Sequence, residues 1–316
     1  MANKKLKIPF FAVLIVTFAI LIAGIVVTAF CGINLGFKEA GGTQIRIDLS
    51  SANQVQAKNA AEKVLSDNKI TIDSIIVEDK GTTSYLTINI ADKTIEKLDA
   101  VKSEIASNLA IDVESVTSVV VKSTIKNEVY LTIGLVIVGL IVALFVFGLI
   151  RHKLAGGLTL GFGFLVQIML PLALVFCTRL QLTLAGIVTI LVSAFLQTLF
   201  AVIMLEKYRA QTKGKSLDDG DEANIMGESV KSTLEVLIFT IAALLIPTII
   251  MLFMGTMQTI MLALVVLITL LSLAFTTLLI VPKTNVSLSE ISRLRLEAHL
   301  SKNNSPAPAK KKNNKK

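Results

Sequence analysis

The chain has 316 residues, of which 53% are hydrophobic and only 17% are charged, and its mean hydropathy is +0.73. Several apolar runs exceed the roughly 18 residues needed to span a bilayer, which excludes a water-soluble globular protein. The net charge of +8 does not indicate a DNA-binding protein, because the Lys and Arg residues cluster beside the ends of apolar runs and so set membrane orientation. Two cysteines and two histidines, far apart in sequence, predict no disulfide framework, no metal site and no cofactor.

The chain begins with a short basic segment, residues 1–7, followed by the apolar run 8–33. We interpret this run as the first membrane helix, with a cytoplasmic N-terminus. A cleaved signal peptide is one alternative, but its apolar core would be about 7–15 residues and this run is longer. A lipoprotein cleavage site before Cys31 is a second alternative, which the bulky Phe30 disfavours.

Residues 36–127 have the composition of a small soluble domain. Ile45, Ile47 and Leu49 alternate with polar residues as in a half-buried strand, and helical spacing follows at 53–66. The resulting order β-α-β-β-α-β predicts a ferredoxin-like α+β domain. No paired acids, nucleophile or phosphate loop occur in it, so it is either a spacer or a binding domain. The remaining predicted elements are strands at 70–77, 83–90 and 116–121 and a helix at 95–109.

Five further apolar runs follow this domain. The Lys and Arg residues of the short loops fall on one side of them, with Arg179 as the exception. Because Lys and Arg mark cytoplasmic loops, the six predicted transmembrane helices place both termini in the cytoplasm and the 36–127 domain outside. The protein is thus predicted to be a polytopic α-helical membrane protein. The five-helix bundle covers 128–281, with spans at 129–150, 154–177, 180–205, 233–255 and 259–281.

The C-terminal segment 282–316 is rich in Lys and Arg, and its end, 305–316, is too polar and repetitive to fold. We interpret it as a solvated cytoplasmic tail that helps to orient the protein. Contact with anionic lipid and contact with ribosomal RNA are the alternatives.

Two kinds of residue inside the spans predict packing or function. Gly157 and Gly161 lie four residues apart and predict close approach of a second helix. Gln167 and Gln197 are the only side-chain amides near mid-membrane, and they are a candidate polar pair across two helices. No acid, His or Lys lies in the interior of any span, so no catalytic residue is predicted there.

Several short motifs are similar to those of a known family. Asn34-Leu35-Gly36 with Gly41-Gly42-Thr43 resembles a glycine-rich entry to an outside domain, with Lys38 in place of the usual acid. Together with the order of one helix, an outside ferredoxin-like domain and five helices, these motifs resemble the SecD/SecF protein-export family, which is similar to one half of a resistance-nodulation-division (RND) transporter. The other matching positions are Glu206, Arg209, Thr240, Gly255, Thr276 and Thr277.

The resemblance implies a SecF-like, non-enzymatic subunit of the bacterial protein translocase in the cytoplasmic membrane. It implies a SecD-like subunit, the SecYEG channel, a YidC-like insertase and exported polypeptides as partners. The alternative is a diverged accessory or scaffold protein of the RND superfamily that serves a different transporter.

The chain departs from the family where membrane acids are expected. The family's His-Asp pair on the third helix aligns with Val166-Gln167, and the Asp on its fourth helix aligns with Gln197 or falls near Phe200. A Gln cannot take up and release a proton at cellular pH, so this chain is expected to lack its own proton relay. Lys122-Ser123 and Val236 also replace a Gly-Pro pair and an Arg of the family.

Overall fold

The computed structural model describes residues 10–49, 53–80, 83–90, 98–123, 127–213 and 221–303. The predicted N-terminal segment 1–7 and the end of the tail, 304–316, lie outside the described residues. The chain divides into two units, one of residues 33–136 with 181–185 and one of the remaining residues.

The first unit contains a four-stranded sheet in which every pairing is antiparallel. The strand order in space is β2-β3-β1-β4. β3 and β4 have the predicted bounds, whereas β1 begins three residues before Ile45, because Gly42 and Thr43 already pair with Val121 and Ile90. The elements in chain order are α2 (Phe37–Ala40), β1 (Gly42–Asp48), α3 (Gln54–Asp67), β2 (Ile72–Lys80), β3 (Thr83–Ile90), α4 (Leu98–Leu109) and β4 (Val116–Val121).

The core of this unit lies between one face of the sheet and the helices α3 and α4. The alternation seen in the sequence directs Ile45 and Ile47 into it, beside Ile88 of the neighbouring strand. Ala61 and Ile105 of the two helices contact the same cluster, and all five side chains are fully buried. The hydrophobic effect thus holds the helices on one face of the sheet.

The second unit consists of long helices. Five helical stretches in the described residues are long and apolar enough to cross a membrane, so the chain is a polytopic membrane protein. The long helices, of which α5 and α6 begin within the residues of the first unit, are α1 (Phe10–Cys31), α5 (Asn127–Cys177), α6 (Leu184–Thr212), α7 (Asp221–Met254), α8 (Met257–Phe275) and α9 (Val281–Asn303).

The 51-residue helix α5 is two helices joined at a sharp break. Lys153 has φ 63° and ψ −169°, which is not helical, and the chain folds back at this residue. Gly148 and Gly157 then face each other so closely that a Cβ on Gly148 would lie 2.6 Å from the Gly157 Cα atom. The break therefore makes one continuous apolar segment into a tightly packed hairpin, whose arms we call the first leg (before Lys153) and the second leg (154–177).

Helix α8 continues into α9 through a π-helical turn, Thr276–Ile280. The Val281 N–H bonds to the Thr276 carbonyl, five residues earlier, and Pro282 follows at once. Proline lacks an N–H and its ring crowds the preceding turn, which accounts for the widened turn at this position. The helix thus runs past residue 281, where the span was predicted to end, and the first part of the predicted tail is helical up to Asn303.

Candidate functional site: buried polar groups of the helical bundle

Gln167 lies on the second leg of α5 and is completely buried. Its Nε2 atom donates a hydrogen bond to Ser193 Oγ on α6, over 3.1 Å. The same atom lies 3.4 Å from the Thr269 carbonyl oxygen on α8, which accepts a longer bond. One amide therefore joins three helices of the bundle.

Gln197 is also completely buried, but its amide does not join helices as the Gln167 amide does. Among the described residues, neither its Nε2 nor its Oε1 atom has a hydrogen-bond partner. The residue opposite is Gly163, where a Cβ would lie only 2.8 Å from Gln197 Nε2. The missing side chain at Gly163 is therefore what makes room for the Gln197 amide.

These contacts correct the predicted pairing of Gln167 with Gln197, because no hydrogen bond joins the two amides. The second leg of α5 and α6 are aligned so that Gln167 meets Ser193 and, one turn away, Gly163 meets Gln197. Residues four apart lie on the same helical face, so each glutamine is opposite a small residue instead of the other glutamine. The register of the two helices thus separates the two amides by one turn.

Two further buried hydroxyl groups, those of Thr276 and Thr277, lie on the π-helical turn. On the preceding helix, Thr269 and Ser272 each donate a hydrogen bond to the carbonyl four residues earlier. The Thr276 and Thr277 hydroxyls have no hydrogen-bond partner among the described residues. The family-like threonine pair is therefore placed where the regular helix pattern, and its hydrogen bonds, stop.

The buried polar side-chain atoms without partners in the described part of the bundle include Gln167 Oε1, Gln197 Nε2 and Oε1, Thr276 Oγ1 and Thr277 Oγ1. Leaving one such group unsatisfied costs about 1–3 kcal/mol, so the bundle has unused capacity to bond water or a polar group. Amides and hydroxyls donate and accept hydrogen bonds but do not change charge near neutral pH. No group of three or more potential metal-binding side chains occurs among the described residues.

Glu206 and Arg209, the motif that ends α6, both contact the break in α5. Glu206 Oε1 accepts a charged hydrogen bond from Arg151 Nε at 2.5 Å, and Nε2 of His152 lies 3.5 Å from the same oxygen. Arg209 Nη1 donates to the Arg151 carbonyl oxygen at 2.7 Å. The motif therefore holds the chain where the hairpin turns at Lys153.

The glycine-rich motif lies at the entry to the sheet unit. Gly41 has φ 74°, a conformation that favours glycine, and a Cβ on Gly42 would overlap the Ile90 carbonyl oxygen. Thr43 is buried in β1. The Gly36 N–H donates to the Leu182 carbonyl at 3.1 Å. The glycines of the motif thus allow the backbone at the start of β1 to pack closely against the neighbouring strands.

Glu39 is an important residue of this entry that the sequence did not single out. Its Oε1 atom accepts a hydrogen bond from the Leu184 N–H at 2.9 Å, and its carbonyl oxygen accepts one from Ser123 Oγ. Lys38 stands where the family that the chain resembles usually has an acid. Glu39, the acid at the next position, was the sequence signal from which this contact could have been predicted.

The remaining predicted positions have local roles. The Thr240 hydroxyl donates to the Val236 carbonyl of its own helix at 2.8 Å. A Cβ on Gly255 would overlap the Met251 carbonyl oxygen, so glycine is needed between α7 and α8. Gly157 lies against the backbone at Phe145 and Leu149, whereas Gly161 is in ordinary contact distance of Ile141. Both glycines therefore face the first leg of the α5 hairpin.

The sequence matches no protein-family model and no curated protein. Solved structures do match. SecDF in a super-membrane-facing form aligns with 91% of this chain and 39% of its own chain, with a TM-score of 0.65 and 16% identity. SecDF from Thermus thermophilus, described as a translocon-associated membrane protein, aligns with 90% of this chain and 39% of its own, with a TM-score of 0.61 and 17% identity. The chain therefore has the fold of part of SecDF, as the resemblance predicted, and spans about 39% of the length of those proteins.

Proposed function

We propose that the protein is a SecF-like subunit that assists the export of proteins across the bacterial cytoplasmic membrane. The proposal is supported by the fold that 90–91% of this chain shares with two SecDF structures. One of these SecDF proteins is described as translocon-associated. The matched region is only 39% of those SecDF chains, and we propose that a SecD-like subunit supplies the remainder. The SecYEG channel, a YidC-like insertase and exported polypeptides are the further partners proposed from the resemblance.

We propose six membrane crossings, made by α1, the two legs of α5, α6, α7 and the α8–α9 segment. The break at Lys153 supports counting α5 twice. Basic residues at this break and at the end of α6 favour a cytoplasmic location for both. Arg179, the exception to that pattern, donates to the carbonyl oxygens of Cys31 and Gly32 at 3.0 and 2.6 Å, which gives it a structural reason to be on the other side.

The sheet unit is proposed to be a ferredoxin-like domain outside the membrane that contacts the emerging chain. The order β-α-β-β-α-β, with both helices packed on one face, supports the fold assignment. In the described sheet, β4 is an edge strand, and its Val119 and Val120 are 51% and 55% exposed. An apolar edge with free backbone groups can add an extended segment as a further strand, whatever its sequence.

We propose that this subunit contains no proton relay of its own. Membrane carriers that use a proton gradient keep an ionisable residue at membrane depth. Here the two buried positions closest to the family's acids are Gln167 and Gln197, and one of these amides is already used to bond Ser193. The bundle is therefore proposed to act as a rigid, passive half that pairs with an energised partner.

The experiment is deletion of the gene followed by pulse-labelling of exported proteins. If the protein is a translocase subunit, unprocessed precursors should accumulate in the deletion strain, and the wild-type gene should restore their processing. If the protein is instead an accessory protein of another transporter, precursor processing should be normal and the export of lipid or small molecules should change. Normal processing at all temperatures, including in the cold, would therefore contradict the proposed function.

A further inference from the structure

A cavity of about 1030 Å³ opens at the end of the helical unit where α5 breaks. Its walls come from the break itself, the last turns of α6, the beginning of α7 and the helix α9. Ile150, Ala155 and Leu205 give it an apolar part, and Leu205 is buried in the bundle core. The cavity therefore lies where apolar helix segments give way to polar ones.

The cavity is strongly basic. Six of its sixteen lining residues are Lys or Arg, and only one, Glu222, is acidic. Glu222 accepts a hydrogen bond from Ser289 Oγ at 2.5 Å, and Glu206, which is outside the lining, bonds Arg151. Counting Glu222, Glu206 and also Glu290, which lines an adjoining small cavity with Arg293, against these six, three positive charges remain around the cavity. The basic lining residues are Arg151, Lys153, Arg209, Lys213, Arg293 and Arg295.

Polar neutral groups complete the lining. The hydroxyl-bearing residues Tyr208, Thr212 and Ser292 face the cavity together with the buried Asn285. Guanidinium groups form paired hydrogen bonds with phosphate oxygens, and hydroxyl and amide groups can bond the remaining oxygens or a glycerol hydroxyl. The combination of clustered arginines, neutral donors and an apolar wall matches a phosphate group that is attached to an apolar chain.

We propose that this cavity binds the headgroup of an anionic phospholipid. Basic pockets at the ends of membrane helices are a recurrent way of holding such headgroups. A soluble phosphate compound has the same anionic chemistry, but it would make no use of the apolar wall at Ile150 and Leu205. Arg293 and Arg295 belong to the helical part of the segment 282–316, and the proposal gives these two residues of the predicted tail a defined site. It does not depend on the proposed role in export.

The test is the thermal stability of the full-length protein in a neutral detergent, titrated with short-chain phosphatidylglycerol. Phosphatidylcholine of the same chain length and inorganic pyrophosphate are the comparison ligands. The proposal predicts saturable stabilisation by phosphatidylglycerol and no saturable stabilisation by either of the others. Equal stabilisation by pyrophosphate would assign the site to soluble phosphates and overturn the lipid proposal, as would equal stabilisation by phosphatidylcholine.

The variant Lys213→Gln/Arg295→Gln removes two exposed charges from the cavity wall, and we expect it to weaken phosphatidylglycerol binding at least tenfold. The control is Lys207→Gln/Lys231→Gln, which removes two charges of α6 and α7 outside the lining, together with the bond from Lys207 to the Ser232 carbonyl oxygen. We expect the control to change the affinity less than twofold. Equal weakening in both variants would show general surface attraction and contradict a specific site. Circular dichroism of both variants checks that they fold.

Discussion

Gln167 Nε2 donates a hydrogen bond to Ser193 Oγ across 3.1 Å, from the second leg of α5 to α6 in the interior of the bundle. One turn away on the same two helices, the Gln197 amide lies against Gly163 and has no partner among the described residues. Two buried glutamines of one bundle thus have opposite environments. Their substitution by an apolar residue should therefore have different effects on stability.

The first prediction compares Gln167→Leu with Gln197→Leu. Loss of the bond to Ser193 should lower the free energy of unfolding by about 1 kcal/mol, the usual size of a hydrogen bond between membrane helices. Gln197→Leu removes buried polar atoms that lack partners, so it should leave stability unchanged or raise it. Unfolding in mixed micelles with increasing denaturing detergent measures both. A larger loss in Gln197→Leu than in Gln167→Leu would show that the Gln197 amide has a partner.

The second prediction concerns the glycines of the α5 hairpin. In Gly157→Ala the new Cβ would lie 2.8 Å from the Phe145 carbonyl oxygen, so the two legs must move apart. We expect destabilisation of about 1–3 kcal/mol, as for other overpacked sites. Gly139→Ala is the control, because no atom lies within 4 Å of its added Cβ. Equal stability of the two variants in the same unfolding assay would contradict the close approach of the legs.

The third prediction concerns the break at Lys153, a non-glycine residue with φ 63° and ψ −169°. This region of backbone space is adopted almost only by glycine, and its strain costs about 1–3 kcal/mol. Lys153→Gly should therefore raise the free energy of unfolding, although by less than the full strain because glycine makes the unfolded chain more flexible. Lys153→Ala is the control that removes the charge and keeps the Cβ. If alanine stabilises as much as glycine, the effect comes from the charge and not from the backbone.

The sequence was sufficient to predict the order of the four strands and of the helices α3 and α4 between them, and the bounds of β3 and β4. Strong period-2 alternation at Ile45 and Ile47 identified the core face of β1 directly. The place of the α5 break was also predicted, because Arg151 and Lys153 interrupt an otherwise apolar run. Local patterns of this kind depend only on near neighbours in the chain.

The site was harder to predict, because it depends on the register between helices. The burial of both glutamines follows from the cost of an amide facing lipid, but nothing local shows that Gln167 meets Ser193 and that Gln197 meets Gly163. Likewise, the π-helical turn before Pro282 is caused by that proline, but the run of apolar residues gives no sign that the helix continues through it. The helix therefore continues where the hydropathy pattern alone ends the span.

The fourth prediction is topological and follows from the basic residues at the helix ends. A reporter inserted after Lys213, between α6 and α7, should be cytoplasmic, and one inserted after Lys80, at the end of β2, should be external. Cysteine labelling with a membrane-impermeant reagent in intact cells measures both positions. Labelling at position 213 without disruption of the cells would contradict the six-crossing arrangement.

We propose that this chain does not sense the proton gradient. A membrane carboxylate does so through its charge, on which the field acts at about 2.3 kcal/mol per 100 mV, whereas the amides of Gln167 and Gln197 carry no charge. The direct measurement is export into proteoliposomes that contain this chain, the Sec channel and a SecD-like partner whose membrane carboxylates have been changed to amides. We expect that export in these vesicles no longer responds to a proton gradient, while export in vesicles with the unchanged partner still responds. Export that continues to rise and fall with the gradient would show that this chain contains a proton relay, contrary to the proposal.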